Sequence, residues 1–366
     1  MKRLLLAGGG QAHIFVLRAL AERRTEVDAV LVTPSDQLIY TGMLPGWIAG
    51  HFQLPELTIP LQPLLDAARV RLITARIVSI DLDQRLAHTG DGHTIGFDVV
   101  SIATGPAPNY QAISGAREHS LPLRPLDRFV REWQRIVARA QGAQRPFRLT
   151  VVGSGAGGVE VALAARYRMP HTRVQLVTGA APILPGHHRR ARLLALAALR
   201  QSGVELIDAA AARIDHDAVA LSDATTVASD ATLLMTGAAA DPWLRQSGLA
   251  TDDGGFVAVN SCLQSTSHDF AFAAGDAATI IDSPRPKSGV YAVRAGPRLA
   301  GNLLAKIADA PLKRWHPQRR ALYLLSTGPK HAVASWGPVA FAGDWVWHWK
   351  HRIDRAYIAK FKSQPD

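Results

Sequence analysis

Two glycine loops, each set between a run of apolar residues and a stretch with helical spacing, constrain this chain more than any other feature. In the first, Leu4–Ala7 is an apolar run, Gly8–Gly10 a turn, Ile14–Ala21 a helical stretch and Val27–Val32 a second apolar run. That order reads as a strand–helix–strand unit of a parallel sheet. The second repeats it: Leu149–Val152, the turn Gly153–Gly158, the helical stretch Val159–Tyr167, then Val174–Val177. The units stand too far apart for a solenoid repeat and read as a duplicated fold type. The expected class is α/β with two Rossmann-like dinucleotide-binding domains.

The glycines have a physical purpose. Gly8-Gly9-Gly10-Gln11-Ala12-His13 fits G-x-G-x-x-H. The first glycine permits a tight turn, and the second lets the backbone approach a pyrophosphate seated on a helix N-terminus, where unpaired N–H groups favour anions. The third position, normally glycine for close helix–strand packing, is His13. Gly153-Ser154-Gly155-Ala156-Gly157-Gly158 is a complete G-x-G-x-x-G, followed by Glu160 on the helix. Neither unit carries an acid at the end of its second strand for the ribose hydroxyls. Thr33-Pro34-Ser35 stands in the first and Thr178-Gly179 in the second. With Arg189 and Arg190 nearby, NADH and NADPH both stay open.

A length of 366 residues suggests two or three domains. Between the loops, Val70–Ala103 reads as a small antiparallel meander broken at Gly90-Asp91-Gly92, closed by the turn Ala103-Thr104-Gly105. A helix is expected near Asp127–Ala140. Phe270–Asp276 is a buried strand ending in Gly275-Asp276, an acid suited to a ribityl chain. Gly289–Ile307 looks helical despite Pro297.

A single cysteine, Cys262, excludes an internal disulfide framework and any dithiol relay, and fits a reducing cytosol. It sits in a strand-like run and is expected to be a small buried hydrophobe. The N-terminal apolar run ends at glycines, short of a secretory signal core, and no run is long enough to span a membrane. Net charge is +11. The basic residues are scattered without a recognition motif, so nucleic acid is not expected. No metal is expected.

Gly8–His13, Ile102–Gly105, Gly153–Gly158 and Phe272–Asp276 occur in the order of the pyridine nucleotide-disulfide oxidoreductase superfamily, which the chain resembles over roughly residues 1–350. Within it, Leu31–Gly50, with Tyr40-Thr41-Gly42-Met43-Leu44-Pro45-Gly46, resembles type II NADH dehydrogenases. The chain resembles still more the FAD-containing NADH dehydrogenase-like proteins associated with selenide, water dikinase.

The resemblance implies FAD in a discontinuous domain, residues 1–110 and 240–315, with an NAD(P)H domain, 111–239, inserted. On the FAD side it implies Gly8, Gly10, Gln11, Ala12, His13, Thr33, Pro45, the Ile77 backbone, Ala103, Thr104, Gly105, Gly275, Asp276, Gly289 and Val290. On the nicotinamide side it implies Gly153, Gly155, Ala156, Gly158 and Gly237, with Glu160 near the nicotinamide end. Where type II enzymes carry paired glutamines facing the flavin, this chain has Val290 and Arg294. The helix beginning near Gly289 suits negative charge on reduced flavin, with Lys287 or Arg294 assisting.

Residues 316–366 form an aromatic-rich extension. Trp345, Trp349, Ile353, Tyr357 and Phe361 recur every fourth residue among Lys350, Arg352, Arg355, Lys360 and Lys362. A basic amphipathic helix of this kind suits a membrane surface, or packing on the flavin domain or a second subunit as a homodimer.

The expected activity is hydride transfer from nicotinamide to FAD and then directly to a small acceptor. That acceptor is a quinone, or a soluble oxidant linked to selenium or sulfur metabolism. A non-catalytic flavin or nucleotide sensor is the competing class. The expected location is cytoplasmic, with peripheral attachment to the inner face of the cell membrane as the quinone variant.

Overall fold

A computed structural model describes residues 1–23 and 26–362. Two five-stranded sheets, parallel throughout, carry the two glycine loops. The first runs Ala271–Ala273, Val99–Ile102, Arg3–Ala7, Asp28–Thr33, Arg71–Thr74 from edge to edge. The second runs Leu121–Pro122, Ala231–Leu234, Arg148–Val152, Arg173–Val177, Glu205–Ile207. The inner strands are nearly continuous apolar runs because both faces are covered, and Leu4, Leu5 and Leu6 are at most 1% exposed. Ala271–Ala273 joins the first sheet from beyond the last strand of the second, so the chain leaves one sheet, completes the other and returns.

The stretch 70–103 is not one meander. Arg71–Thr74 is an edge strand of the first sheet, and Val99–Ile102 is an inner strand buried at all four positions. Only Ile77–Asp81, Leu86–Thr89 and Thr94–Gly96 pair antiparallel. Short apolar runs have the same appearance in either sheet type, and only their partners separate them.

Helix Gln11–Arg23 packs on helix Gly289–Ile307. The approach is close: a Cβ at Gly296 would lie 2.3 Å from the Phe15 ring. Cys262 lies in a turn rather than a strand and is only half-buried, its backbone N–H donating to Asn260 Oδ1 at 2.8 Å.

The aromatic extension is built into the molecule. Leu322–Ser326, Ala332–Trp336 and Val339–Gly343 form an antiparallel sheet, and helix Asp344–Lys362 follows. Phe361 meets Phe15 edge-on at 4.9 Å between ring centres, and Tyr357 stacks on Tyr40 at 4.4 Å. On the other half, the His187 ring reaches Ser335 Oγ at 3.1 Å.

The five-residue aromatic stripe therefore divides. Four residues advance a helix by slightly more than one turn, so the stripe rotates by about 40° per step. Trp345, Trp349 and Ile353 face outward, at 57%, 37% and 42% exposure, while Phe361 is buried. Lys350, grouped by sequence with the solvated basic residues, is buried.

Candidate cofactor site

The first loop is held by its neighbours. Gly8 N–H donates to the Val32 carbonyl at 2.8 Å, with Gly8 at φ +95°. A Cβ at Gly8 would lie 2.6 Å from Thr104 Cα, and one at Gly10 would lie 2.2 Å from the Ala103 carbonyl oxygen. Both glycines are thus required by the approach of Ala103-Thr104-Gly105 at the end of the next strand. Thr33 closes over the middle position, its Oγ1 2.7 Å from where a Gly9 Cβ would stand.

His13, the departure from pattern, is 1% exposed. Its Nδ1 lies 2.6 Å from the Gly8 carbonyl and its Nε2 2.9 Å from Ser101 Oγ. A carbonyl only accepts, so Nδ1 carries the proton and Nε2 accepts from the serine. Burial holds the ring neutral and pushes its pKa down to about 4. The imidazole ties the glycine loop to strand Val99–Ile102.

Gln11 and Ala12 open helix Gln11–Arg23. Gln11 Nε2 is 3.5 Å from Thr41 Oγ1, while Gln11 Oε1 is buried with no hydrogen-bond partner among the described residues. Gly289, first residue of its helix, faces both, a Cβ there being 3.7 Å from Gln11 Oε1 and 3.9 Å from Thr41 Oγ1. The structure thus gathers Gly8, Gly10, Gln11, Thr104 and Gly289, and Pro45 lies buried in the short helix Leu44–Ile48 that follows Thr41. Ile77 heads the first strand of the meander with a buried side chain. Val290 is half-buried and Arg294 is exposed.

Asp276 lies in the turn Gly275–Ala277 that ends strand Ala271–Ala273, with Gly275 at φ +70°. Burial raises its pKa, opposed first by Arg124 and then by Lys287. Arg124, not signalled by any motif, also sits 3.5 Å from where a Gly105 Cβ would be. Burial lowers the pKa of its guanidinium, which makes no hydrogen bond among the described residues. Lys287 is turned to strand Ala278–Ile280, donating to the Ala278 carbonyl at 2.5 Å and Thr279 Oγ1 at 2.8 Å, with its ammonium 3.9 Å from the centre of the Phe256 ring. Burial brings its pKa down to about 8.

The second loop differs in kind. Gly153, at φ +139°, would place a Cβ 2.3 Å from the Met235 carbonyl oxygen, and Gly158 one 2.0 Å from the Gly153 carbonyl oxygen. Those two are packing requirements. Gly155, N-cap of helix Ala156–Arg168, and Gly237 meet nothing within 4 Å. Open space beside a helix N-terminus is what an anionic dinucleotide needs.

Glu160, one turn along that helix, accepts from the Ser326 backbone N–H at 2.8 Å. Burial raises its pKa to about 7, with Lys350 opposing and Asp354 adding to the rise. Lys350 Nζ donates to the Gly42 carbonyl and to Asp354 Oδ2, and Tyr40 OH donates to Asp354 Oδ1 at 3.1 Å. The sequence signal for this cluster is the Lys–Asp pair one turn apart inside an aromatic stripe.

The arrangement fits a flavin dinucleotide on the first sheet. A buried amide oxygen lacks a hydrogen-bond partner among the described residues, and a half-buried guanidinium faces an interior carboxylate beside a glycine-lined loop. A family model described as pyridine nucleotide-disulphide oxidoreductase matches residues 2–296. A demethylphylloquinone reductase of Synechocystis is 25% identical over 347 residues, covering 89% of this chain and 85% of that protein. An NADH dehydrogenase-like protein of Mycobacterium tuberculosis is 27% identical, covering 85% and 82%. Among solved structures, NDH2 of Plasmodium falciparum in complex with NADH superposes with TM-score 0.82 over 100% of this chain and 99% of that one, at 12% identity. The sulfide:quinone oxidoreductase of Aquifex aeolicus gives 0.82 over 99% and 92%, at 19% identity. With both loops, the Ala-Thr-Gly turn and the interior aspartate in place, the chain belongs to the pyridine nucleotide-disulphide oxidoreductase family.

Proposed function

We propose that this oxidoreductase passes electrons from a nicotinamide dinucleotide through FAD to a quinone drawn from a membrane surface. Family membership makes it an FAD- and NAD(P)H-dependent oxidoreductase of the NADH dehydrogenase and quinone reductase kind. The finer assignment follows the two loops. Residues 1–110 and 240–315 would hold FAD through Gly8, Gly10, Gln11, Ala12, Thr104, Gly105 and Asp276, with Arg124 reaching in from the inserted segment 111–239. Residues 111–239 would hold the nicotinamide dinucleotide at Gly153, Gly155, Ala156, Gly158 and Gly237.

Bound FAD would supply two-electron chemistry between the nicotinamide and the acceptor. The chain's own part is positional and electrostatic. Helix Gly289–Ile307 directs its N-terminus toward the site and favours negative charge there. Glu160, with a pKa near 7, is suited to hold or release a proton at working pH. A single half-buried cysteine means that electrons leave without a dithiol.

The observation that carries the choice of acceptor is the exposed apolar side of the C-terminal helix. Trp345 stacks on Phe341 and on Trp349, with Ile353 beyond, and Val339 pairs with the exposed Trp336 at the adjoining hairpin. Arg352, Arg355 and Lys360 are exposed around it. No helix among the described residues is long and apolar enough to cross a membrane. Such a surface suits interfacial docking at the inner face of the cell membrane, with cationic residues on anionic headgroups. The first relative named above is itself called a demethylphylloquinone reductase.

The test is sedimentation with anionic vesicles together with turnover of a short-chain quinone. The native protein should co-sediment and reduce the quinone. Trp345→Ser/Trp349→Ser/Ile353→Ser should stay in the supernatant with its flavin retained. Native protein that neither sediments at low salt nor turns over quinone would transfer the assignment to a soluble oxidant of selenium or sulfur chemistry. Val290 and Arg294, in place of the paired glutamines, favour that second reading.

A further inference from the structure

The two strand–helix–strand units superpose by register, and one level of that register differs between them. In the first sheet Ala7 pairs with Val32, and Thr33 with Thr74 on the next strand. In the second sheet Val152 pairs with Val177, and Val177 with Ile207. Thr178, the residue that follows its strand, is thus the counterpart of Thr33, and Asp208, the residue that follows strand Glu205–Ile207, is the counterpart of Thr74.

Asp208 is fixed in that place. Thr178 N–H donates to the Ile207 carbonyl at 3.0 Å and Gly179 N–H to the Ala209 carbonyl at 3.2 Å. Thr178 Oγ1, itself buried, lies 3.0 Å from Asp208 Oδ1, and a carboxylate can only accept there. The Ile207 and Gly179 carbonyls stand 3.2 and 3.3 Å from the same hydroxyl, so the carboxylate is its nearest acceptor and sits beside the residue that follows strand Arg173–Val177. Asp208 is exposed, and Gly179 beside it, at φ +75°, meets nothing within 4 Å. The end of the second strand is where a nucleotide-binding unit normally presents an acid to the ribose 2′-hydroxyl. Here a threonine follows that strand, and the acid stands beside it just past the neighbouring strand.

We propose that Asp208 receives the adenosine ribose hydroxyls of the nicotinamide dinucleotide, standing in for the missing acid, and thereby sets a preference for NADH over NADPH. The proposal rests on the assignment of the second loop to the nicotinamide dinucleotide. A carboxylate at this point accepts from a 2′-hydroxyl and repels a 2′-phosphate. In the first unit the same level holds Thr74, followed by Ala75 and Arg76, so this acid is confined to the second dinucleotide site.

The experiment has two arms on the flavin-loaded protein. One measures affinity for ADP-ribose and for its 2′-phosphorylated form by calorimetry; the other measures anaerobic flavin reduction by NADH and NADPH. The native protein should favour ADP-ribose and NADH. Asp208→Asn should cost roughly ten- to hundredfold of that preference, at unchanged flavin content and fold. Thr178→Val, which releases the carboxylate without removing it, should lose a smaller part. A native preference for the phosphorylated ligands, or a ratio unmoved by Asp208→Asn, overturns the proposal while the flavin assignment stands. Flavin bleached by neither nicotinamide overturns the proposed function instead, and ADP-ribose discrimination that depends on Asp208 would still sustain the ribose contact. Failure of both ADP-ribose forms to bind, with flavin bleached by neither nicotinamide, overturns both.

Discussion

Lys350 Nζ lies 2.6 Å from Asp354 Oδ2 one turn along the C-terminal helix, with side chains 10% and 8% exposed. The pair is not isolated. Lys350 also reaches the Gly42 carbonyl, and Tyr40 donates to the other carboxylate oxygen. It fastens a helix from the end of the chain to a segment near its beginning. A buried ion pair is costly to break from one side, because the remaining charge stays desolvated. Asp354→Ala should therefore destabilise the folded protein by about 3–5 kcal/mol. Lys350→Met/Asp354→Leu should cost clearly less, and denaturant unfolding of the two variants is the comparison.

His13 predicts an acid-side loss of stability. Its folded pKa, about 4, is below the ordinary value of 6.5, so the unfolded chain takes up a proton that the native chain refuses. The contribution is complete above pH 6.5 and is lost as pH falls toward 4, to a total of about 3 kcal/mol. His13→Ala should be destabilised at pH 7.5 by about 2–4 kcal/mol, and its gap from the native protein should narrow across that window. A gap constant with pH would contradict the neutral buried imidazole.

The two classes of glycine should separate in mutants. Gly158→Ala and Gly10→Ala drive a Cβ to 2.0 Å and 2.2 Å from backbone oxygens, so both should fold poorly. Gly155→Ala meets open space and should fold normally. It should nevertheless weaken nicotinamide dinucleotide binding by about tenfold or more, since the methyl occupies ground meant for a pyrophosphate. Melting temperature and dinucleotide titration, measured together, give both readouts.

Glu160 has the opposite pH signature to His13. Its folded pKa, near 7, is above the unfolded value of 4.5, so burying the ionised carboxylate becomes progressively costlier between those limits. Relative to native protein, Glu160→Gln should gain stability as pH rises from 4.5 to 7 and keep it above, on the order of 3 kcal/mol. The same variant should flatten any limb near pH 7 in the pH dependence of turnover.

Much of this was legible from residue types, because glycine loops and apolar runs report backbone demands directly. Gly8, Gly153 and Gly158 are glycine since no other residue fits. The purpose of Gly10 was not legible: its neighbour, Ala103, is distant in sequence, so the close approach looked like room for a ligand. Val99–Ile102 reads as part of a meander for the same reason, since strand partners are not written locally. Arg124 carries no motif, and its place beside Asp276 and Gly105 emerges only when the chain returns to the first sheet. Lys350 looked like one more solvated cation, and only the rotation of the helix against Tyr40 buries it. Asp208 gives no signal at the end of the second strand because it lies just past the third.

The most direct measurement is anaerobic titration of the purified protein with each nicotinamide while flavin absorbance is followed. The account predicts protein-bound FAD whose oxidised band is bleached stoichiometrically, with Gly155→Ala shifting the titration to higher nucleotide concentration. Protein that carries no flavin, or flavin left oxidised by both NADH and NADPH, would contradict it.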